Sequence, residues 1–455
     1  QKRTRHFDIL DDCLPLGVYM DAQSSKRLAA MMGISAKDYW EIALDDIATH
    51  HHNCVVLANA DRLDRDELGD LLGRFDRHKL KVVIRHDFPA GRPAEEQKAH
   101  IEEHIAPHAS SGAIFARTFS GAPIENDRRA VLSAKDRIEE ADPNHPVAII
   151  ARYPNAYPLF APFFSASGIG HFTTRRPWDM GKTVRTHEPL ARPRQFWAAA
   201  PAFMYPTQTP EWSTCPEMRL MVNLSFANGA RGWFAYSYHN DPVWLRGMVQ
   251  RTLTGPFLTF SDLWLELAQR MKRASALSPL FLRARAESVL EDWYTRGVTT
   301  DTTATPAGDV TPMSQFHLRG DDFSIYMTVS NNTREMTSVN IDIPRDVGDG
   351  TQIYDLSHYI TTLNWAPLDR RRHIEMFPGQ SHIILVTDPA NGDRWREMIA
   401  SRLIEADLKQ VDYYIGLAAS YGLKAADAER AIEVARGERT ADGLGKIHGA
   451  KEDFV

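Results

Sequence analysis

The sequence predicts an α/β protein: a (β/α)8 TIM barrel followed by an antiparallel β-sandwich and a short C-terminal helical extension. Two observations predict the barrel. Apolar, strand-like runs alternate with helical patterns along the first three fifths of the chain, and polar residues cluster after each strand rather than before it. A third observation predicts the sandwich, because residues 280–389 change to alternating, β-branched runs separated by Asn, Asp, Gly and Pro turns.

These patterns divide the chain into four predicted parts. The barrel occupies residues 1–278, the β-sandwich 279–390 and the helical extension 391–436. The tail, 437–455, is polar and without a period, so we expect it to be flexible. The helical extension and the tail are also the predicted contact region for a protein partner.

The clearest β/α repeat lies between residues 195 and 242. Residues 195–203 form a continuous aromatic and apolar run, which is typical of a strand buried on both faces. Pro216 and Glu217 begin the next helix, because Pro suits the first helical position and an acid there meets the positive end of the helix dipole. The next strand is residues 232–238. The other predicted barrel strands are 14–21, 54–58, 81–84, 112–119, 147–153 and 170–174.

Two segments of this repeat resemble a known family. The segment 216–219 (PEMR), an apolar helix and then 229–232 (GARG) before an aromatic strand resemble the end of glycoside-hydrolase barrels of the broad beta-galactosidase-like group. The segment 377–380 (FPGQ) before a last apolar strand resembles the accessory β-domain of such enzymes. The resemblance implies a protein that acts on a polysaccharide or oligosaccharide.

Glycoside hydrolysis uses two carboxyl groups, one protonated and one ionised, so the candidates are acids at strand ends. The sequence has such acids at Asp21, Asp61, Asp87, Glu125, Asp179, Glu211, Glu217 and Asp241. The predicted catalytic residues are Glu211, Glu217, Asp87 and Glu125. Alternatives stay open, since Glu217 also suits a helix start, and Asp87 beside Arg85 and His86 also suits a structural ion pair.

The fourth strand departs from the family pattern. Related barrels often place the proton donor there in an Asp-Glu-Pro or Asn-Glu setting, whereas residues 119–123 of this chain read FSGAP. Glu125, two residues further on, is the available substitute. If Glu125 points away from the site, the acid is missing. The alternative to an active glycoside hydrolase is therefore an inactive, glycosidase-like protein that binds glycans or serves as a structural subunit of an extracellular assembly.

Arginines at strand ends indicate the class of ligand. Five of them would converge on the mouth of the barrel, Arg85, Arg117, Arg152, Arg175 and Arg176. Converging guanidinium groups favour carboxylate or sulfate ligands, although each could instead pair with an acid of the protein. Aromatic residues near the same ends could stack on sugar rings: Tyr19, Tyr153, Trp178, Tyr205, Trp212, Tyr236, Tyr238 and Trp244. The predicted substrate-binding set is Asp21, Arg85, Arg117, Arg152, Tyr205, Trp212, Tyr238 and Asp241.

Composition and motifs argue against several other classes of protein. A net charge of -6 gives no global electrostatic reason to expect nucleic acid, and no apolar run approaches the roughly 20 residues that span a bilayer. We predict no cofactor and no metal, because no His-x-His or His-Glu-x-x-His pattern follows a strand. The triplet 50–52 (HHH) precedes the second strand, where barrel features usually serve stability.

Three cysteines bear on disulfides. Cys13, Cys54 and Cys215 do not form a disulfide framework or a zinc pattern; a Cys13 to Cys54 bridge is conceivable, but free buried thiols are favoured. Because the chain begins at Gln1 and not at Met, we expect a removed leader and a secreted, periplasmic or cell-surface location.

Overall fold

The computed structural model describes residues 6–88, 93–119, 128–152, 154–170, 176–204, 212–239, 251–254, 258, 261–289, 313–343, 350–420, 422 and 426–452. The chain forms two compact units. The first comprises residues 1–215 and 230–268, and the second comprises residues 216–229 and 269–455.

Eight parallel strands form the main sheet of the first unit, in the order β4-β3-β2-β1-β9-β7-β6-β5. They are β1 Leu16–Asp21, β2 Cys54–Ala58, β3 Lys81–His86, β4 Ile114–Phe119, β5 Ala148–Ala151, β6 Ala166–Gly170, β7 Gln195–Pro201 and β9 Trp233–Tyr236. The two ends of this order meet, because Arg117 forms a parallel bridge with Val147 and its backbone N–H donates to the carbonyl oxygen of Pro146 at 2.9 Å. The sheet therefore closes into the predicted barrel.

One barrel strand differs from its prediction. The sixth strand was predicted at residues 170–174, of which 171–174 lie outside the described residues, whereas the described strand β6 is Ala166–Gly170. Small residues in this strand allow the paired strand β7 to approach closely: a Cβ atom on Gly168 would lie 2.5 Å from the backbone carbonyl oxygen of Trp197. A strand of small residues lacks the β-branched signal on which the prediction depended.

The barrel interior is one apolar cluster. Tyr19, Val56, Val83, Phe115 and Trp197 belong to it, each from a different strand. The outer faces of the strands are also buried, as in β1 and β2, in which every residue is buried. Burial on both faces explains why the strands read as continuous apolar runs instead of alternating ones.

Three helices of the first unit begin at side-chain caps. Asp21 caps α2, Ser35 caps α3, and Asp64 with Glu67 forms a capping box at α4, so side-chain oxygens satisfy the free N–H groups of each first turn. The helices up to the end of β7 are α1 Asp8–Asp12, α2 Ala22–Met32, α3 Ala36–Thr49, α4 Arg65–Arg77, α5 Ala94–His104, α6 Arg128–Ala141, α7 Tyr157–Phe160 and α8 Asp179–Ala191. Two short strands, β8 Phe203–Met204 and β10 Arg251–Thr252, pair antiparallel.

The second unit contains an antiparallel β-sandwich. A five-stranded sheet has the order β11-β12-β13-β17-β15, and a second sheet pairs β14 with β16. The strands are β11 Arg285–Val289, β12 Met313–Arg319, β13 Phe323–Ser330, β14 Thr337–Asp342, β15 Gln352–Asp355, β16 Arg371–Met376 and β17 Ser381–Thr387. Val339, Ile341 and Ile374 of the small sheet pack with Ile353 and Ile384 of the large sheet. This shared core confirms the predicted sandwich.

Helices complete the second unit. They are α9 Cys215–Ala227 and α10 Asp262–Ala276, which cross the unit boundary along the chain, and α11 Ser278–Arg283, α12 Leu356–Thr362, α13 Pro389–Ser420, α14 Ala426–Glu438 and α15 Ala441–Glu452. In the second unit, Asn223 of α9 donates to the carbonyl oxygen of Gly379 at 2.9 Å, and Ser381 donates to Asn223 at 2.9 Å. The segment 377–380, from which we inferred a sandwich, thus holds α9 in place.

The C-terminal residues correct one prediction. Residues 437–455 were predicted to be a flexible tail, but 441–452 form helix α15, which packs on α13 and α14. Leu444 and Ile447, three residues apart, are buried. Three glycines between 443 and 449 obscure this short apolar face in the sequence. Among the described helices, none is both long enough and apolar enough to span a membrane.

Candidate functional site at the carboxyl ends of the barrel strands

Two tyrosines and one arginine lie together inside the barrel near the carboxyl ends of its strands. The rings of Tyr19 on β1 and Tyr236 on β9 pack edge to face, with centroids 5.1 Å apart. Arg85 on β3 is two residues beyond the interior residue Val83 and therefore on the same face of its strand. Burial raises the pKa of Tyr19 above its ordinary value, and the neighbouring Arg85 opposes that shift.

Arg85 has an unsatisfied donor. Its side chain is half-buried, and its Nε atom is buried without a hydrogen-bond partner in the part of the chain that the structure describes. The guanidinium group lies close enough to the phenol of Tyr19 to oppose the rise in pKa that burial causes there. A guanidinium group in such a position can donate two hydrogen bonds to a carboxylate or sulfate. This group is therefore the candidate ligand-binding residue of the barrel mouth.

Arg117 has the opposite surroundings. It is fully buried, and its Nε atom donates to the Asp142 carboxylate at 2.5 Å. Its Nη2 atom donates to the carbonyl oxygen of Ile105, which follows α5, at 3.2 Å. Arg117 thus lies in the layer between β4 and the helices, not in the barrel mouth. The predicted substrate-binding role of Arg117 is corrected on this ground, because no surface of the side chain reaches a ligand.

A hydrogen-bonded chain continues from Arg117 towards the ends of β2 and β3. The Nη1 atom of Arg117 lies 3.0 Å from Nε2 of His86, and Nδ1 of His86 lies 2.8 Å from the carboxylate of Asp61. The second oxygen of Asp61 accepts from the backbone N–H of Asp87. Burial by itself would raise the pKa of Asp61, but His86 and His100 lower it to about 2. Asp61 is therefore ionised.

Asp61, His86 and His100 also satisfy the spacing of a metal site, since one ligand atom from each lies within 4.8 Å of the others. A metal-binding histidine usually donates its other ring N–H to an acceptor. If His86 bound a metal through Nδ1, its Nε2 would carry the proton, and that nitrogen faces a donor of Arg117 at 3.0 Å. The geometry therefore fits a neutral His86 that accepts from Arg117 and donates to Asp61, and it does not fit a metal ligand.

Asp21 and Tyr238 are structural residues and do not line the mouth of the barrel. Asp21 is fully buried and accepts from the backbone N–H and the hydroxyl of Ser24 at 2.7 and 2.9 Å, as the N-cap of α2. Tyr238 is fully buried and donates to the Asp46 carboxylate on α3 at 2.6 Å. Both were predicted to bind substrate. The structure corrects both, because each side chain is enclosed and occupied by partners from the protein.

The remaining described candidates are more accessible. Asp87 is exposed directly after β3, and Arg152 is exposed directly after β5. Trp212 is half-buried before α9, and Glu217 is half-buried in the first turn of that helix, in the second unit. The roles of these four residues stay predictions. Four further candidates, Glu125, Tyr205, Glu211 and Asp241, lie outside the described residues, as do Tyr153, Arg175 and Trp244.

Sequence reasoning missed His100 of α5. Nothing in the helical pattern of residues 94–104 marks this histidine, which only the fold brings within 3.8 Å of Asp61. The triplet 50–52 was predicted to be structural, and His52 does stack on Trp264 with ring centroids 4.6 Å apart. Cys13, Cys54 and Cys215 form no disulfide among the described residues, and of the three only Cys54 is buried.

Comparison with known proteins gives a likeness in fold. No protein-family model matches the chain, and no curated protein matches it in sequence. The solved beta-galactosidase from Bacillus circulans sp. alkalophilus is 8% identical, with a TM-score of 0.59 over 82% of this chain and 99% of that one. A glycoside hydrolase family 5 protein from Bacteroides vulgatus ATCC 8482 is 10% identical, with a TM-score of 0.53 over 83% of this chain and 90% of that one.

A third solved structure matches this chain over a smaller part of both chains. The beta-galactosidase from the psychrophilic Marinomonas ef1 is 9% identical with a TM-score of 0.49, and the matched region covers 59% of this chain but only 62% of that one. At such identities the likeness concerns the fold. This chain has the fold of a glycoside-hydrolase-like (β/α)8 barrel accompanied by antiparallel β-sheets.

Proposed function

We propose that this protein is carbohydrate-active and hydrolyses an acidic oligosaccharide or polysaccharide at the carboxyl ends of the barrel strands. One observation carries the proposal: Arg85 stands inside a glycoside-hydrolase-like barrel with a buried, unsatisfied Nε donor beside Tyr19. A uronate carboxylate or a sugar sulfate would satisfy that donor. Tyr236, which is half-buried and packs against the buried Tyr19, supplies the aromatic surface that sugar rings favour.

Asp87 is the catalytic candidate that the described geometry supports best. Its carboxylate is exposed at the end of β3, two residues beyond Arg85, and its backbone N–H is held by Asp61. Fixing the strand end in this way would position the carboxylate. Hydrolysis needs a second carboxyl group, for which Glu125, Glu211 and Glu217 stay the predicted candidates.

A second candidate function is glycan binding without hydrolysis. The observation that favours it is that two strand-end acids are already used by the protein: Asp21 caps α2, and Asp61 bonds to His86 and the backbone of Asp87. The absence of an Asp-Glu-Pro or Asn-Glu sequence in residues 119–123 favours it too. Such a protein would be a binding or structural subunit. The secreted or periplasmic location and a protein partner at the C-terminal helices stay predictions.

The test combines binding and cleavage measurements. The full chain is assayed against uronate-containing, sulfated and neutral polysaccharides, with binding measured by affinity electrophoresis and hydrolysis by release of reducing ends. We expect acidic polysaccharides to bind and Arg85→Met to weaken that binding at least tenfold. The matched control is Arg77→Met, which removes an exposed arginine at the end of α4 that is paired with Glu41. Binding of neutral polysaccharides alone would reject the acidic ligand.

Variants of the four predicted acids separate the two functions. If the protein is an enzyme, Asp87→Asn, Glu125→Gln, Glu211→Gln or Glu217→Gln should lower the rate about 10²-fold to 10⁴-fold for at least two of them. If acidic glycans bind but no reducing ends appear, the binding function is supported and hydrolysis is rejected.

A further inference from the structure

The second unit contains a cleft that the barrel chemistry does not use. Its volume is about 790 Å³, and its walls come from α12, the loop that follows it, α13 and α15. Tyr359, Trp365, Arg396, Asp442 and Lys446 line it. The cleft thus lies between the β-sandwich and helix α15, the segment that was predicted to be a flexible tail.

One wall of the cleft is aromatic and has unsatisfied donors. Trp365 stacks on Tyr354 with ring centroids 4.5 Å apart and meets Tyr359 edge to face at 4.9 Å. The indole Nε1 of Trp365 is buried and has no hydrogen-bond partner among the described residues. The hydroxyl of Tyr359 is buried beside the guanidinium group of Arg396, and no described residue accepts its proton. Tyr359 is only 1% exposed. Buried donors of this kind are usually satisfied, so acceptors from a ligand would complete this wall.

The opposite walls carry charged groups of both signs. Arg396 of α13 is 34% exposed and lies 3.8 Å from the Glu397 carboxylate, Lys446 of α15 is exposed, and Asp442 supplies a carboxylate to the lining. Burial raises the pKa of Tyr359, and the neighbouring Arg396 opposes that shift, which places the guanidinium group beside the phenol. The cleft therefore offers an aromatic surface, several hydrogen-bond donors and one carboxylate acceptor. The donors are Tyr359, Trp365, Arg396 and Lys446, and the acceptor is Asp442.

We propose that this cleft is a second saccharide site, which binds a sugar unit bearing a carboxylate. The carboxylate would accept from Arg396 and Lys446, ring hydroxyls would accept from Trp365 and Tyr359, and Asp442 would accept from a ring hydroxyl. The class of ligand rests on the proposed function, whereas the site is separate from Arg85. Sugars favour such a mixture of aromatic surface and polar groups, and a simple anion would not need the aromatic wall.

The experiment isolates the cleft from the barrel. Full-length Arg85→Met protein is titrated calorimetrically with glucuronate, glucose and acetate, so that the barrel arginine does not contribute. We expect glucuronate to bind, and glucose and acetate to bind at least tenfold more weakly. Combining Arg396→Gln with Lys446→Gln should weaken glucuronate binding at least tenfold. The matched control is Arg402→Gln, an exposed arginine on the same helix paired with Glu405, which should leave binding unchanged.

Two results would overturn the proposal: glucuronate binding that survives in the Arg396→Gln, Lys446→Gln protein, or acetate binding as tightly as glucuronate. Trp365→Phe is a second variant that keeps the aromatic wall but removes the Nε1 donor, and we expect it to weaken glucuronate binding severalfold. Circular dichroism confirms that each variant is folded. If acidic polysaccharides show no dependence on Arg85, the proposed function fails, yet this titration still decides on the cleft.

Discussion

Arg85 and Arg117 stand near the ends of neighbouring strands and were predicted to share one role, but the fold treats them differently. Arg117 is enclosed by Asp142, His86 and the carbonyl oxygen of Ile105. Arg85 faces the barrel interior, and its Nε atom has no hydrogen-bond partner in the described part of the chain. A cation whose donors are all satisfied stabilises the fold, whereas a cation with an unsatisfied donor is available to a ligand.

The largest expected effect is on Arg117. Arg117→Met should lower the free energy of unfolding by about 3–5 kcal/mol, because it leaves the buried Asp142 carboxylate without its cation. The shift of the barrel transition in urea, followed by circular dichroism, measures this. The double variant Arg117→Met, Asp142→Leu removes both charges and should recover part of the loss. A single variant as stable as the parent would contradict the structural role of Arg117.

The next largest effect is expected at Asp61, the ionised residue of the same hydrogen-bonded network, and it concerns the pH dependence of stability. Asp61 has a folded pKa of about 2 against an ordinary value of 3.8, so its contribution to stability is present above about pH 4 and is lost as the pH falls towards 2. Asp61→Asn should cost about 2 kcal/mol at pH 7 and flatten this acid dependence. Urea titrations at several pH values measure both. Asp66→Asn, the same change at an exposed position of α4, should leave the acid dependence nearly intact.

A buried base, His52, for which no described residue supplies a counter-charge, sharpens the contrast. Burial is the main cause that lowers the pKa of His52 to about 3, so the unfolded chain binds more protons than the folded chain between about pH 6.5 and pH 3. Stability from the neutral His52 is therefore lost as the pH falls through that window. His52→Phe, which keeps a ring on Trp264, should remove this part of the pH dependence. An unchanged slope between pH 6.5 and 4 would count against it.

The smallest expected effect on stability is at Arg85. Arg85→Met should change the free energy of unfolding by less than about 1 kcal/mol, because no ion pair within the described residues is lost and an unsatisfied donor is removed. The same urea measurement gives the value. A loss comparable with that of Arg117→Met would mean that Arg85 is a structural residue and would remove the basis for its proposed ligand.

Much of the architecture could be read from local patterns. The eight strands, their intervening helices and the change to a sandwich follow from apolar runs and turn residues, because these patterns depend on short stretches of chain. The misplaced sixth strand and the helix of residues 441–452 show the limit. Small residues weaken the strand pattern of β6, and glycines weaken the helical pattern of α15. The positions of these two elements then depend on contacts made in the fold, at Trp197 for β6 and at α13 for α15.

The amino-acid sequence predicts which residues lie near the carboxyl ends of the strands, because that order follows from the alternation of strands and helices. The face on which each of these side chains lies follows from the three-dimensional pairing of the strands. The pairing of β3 with β4 shifts register between Val82 and Val83, and a shift of one residue moves a side chain to the other face of the sheet. Both faces of a barrel strand are apolar, so the sequence contains no alternation from which the face of a side chain could be predicted. For this reason the sequence did not distinguish Arg85, which faces the barrel interior, from Arg117, which faces the helices.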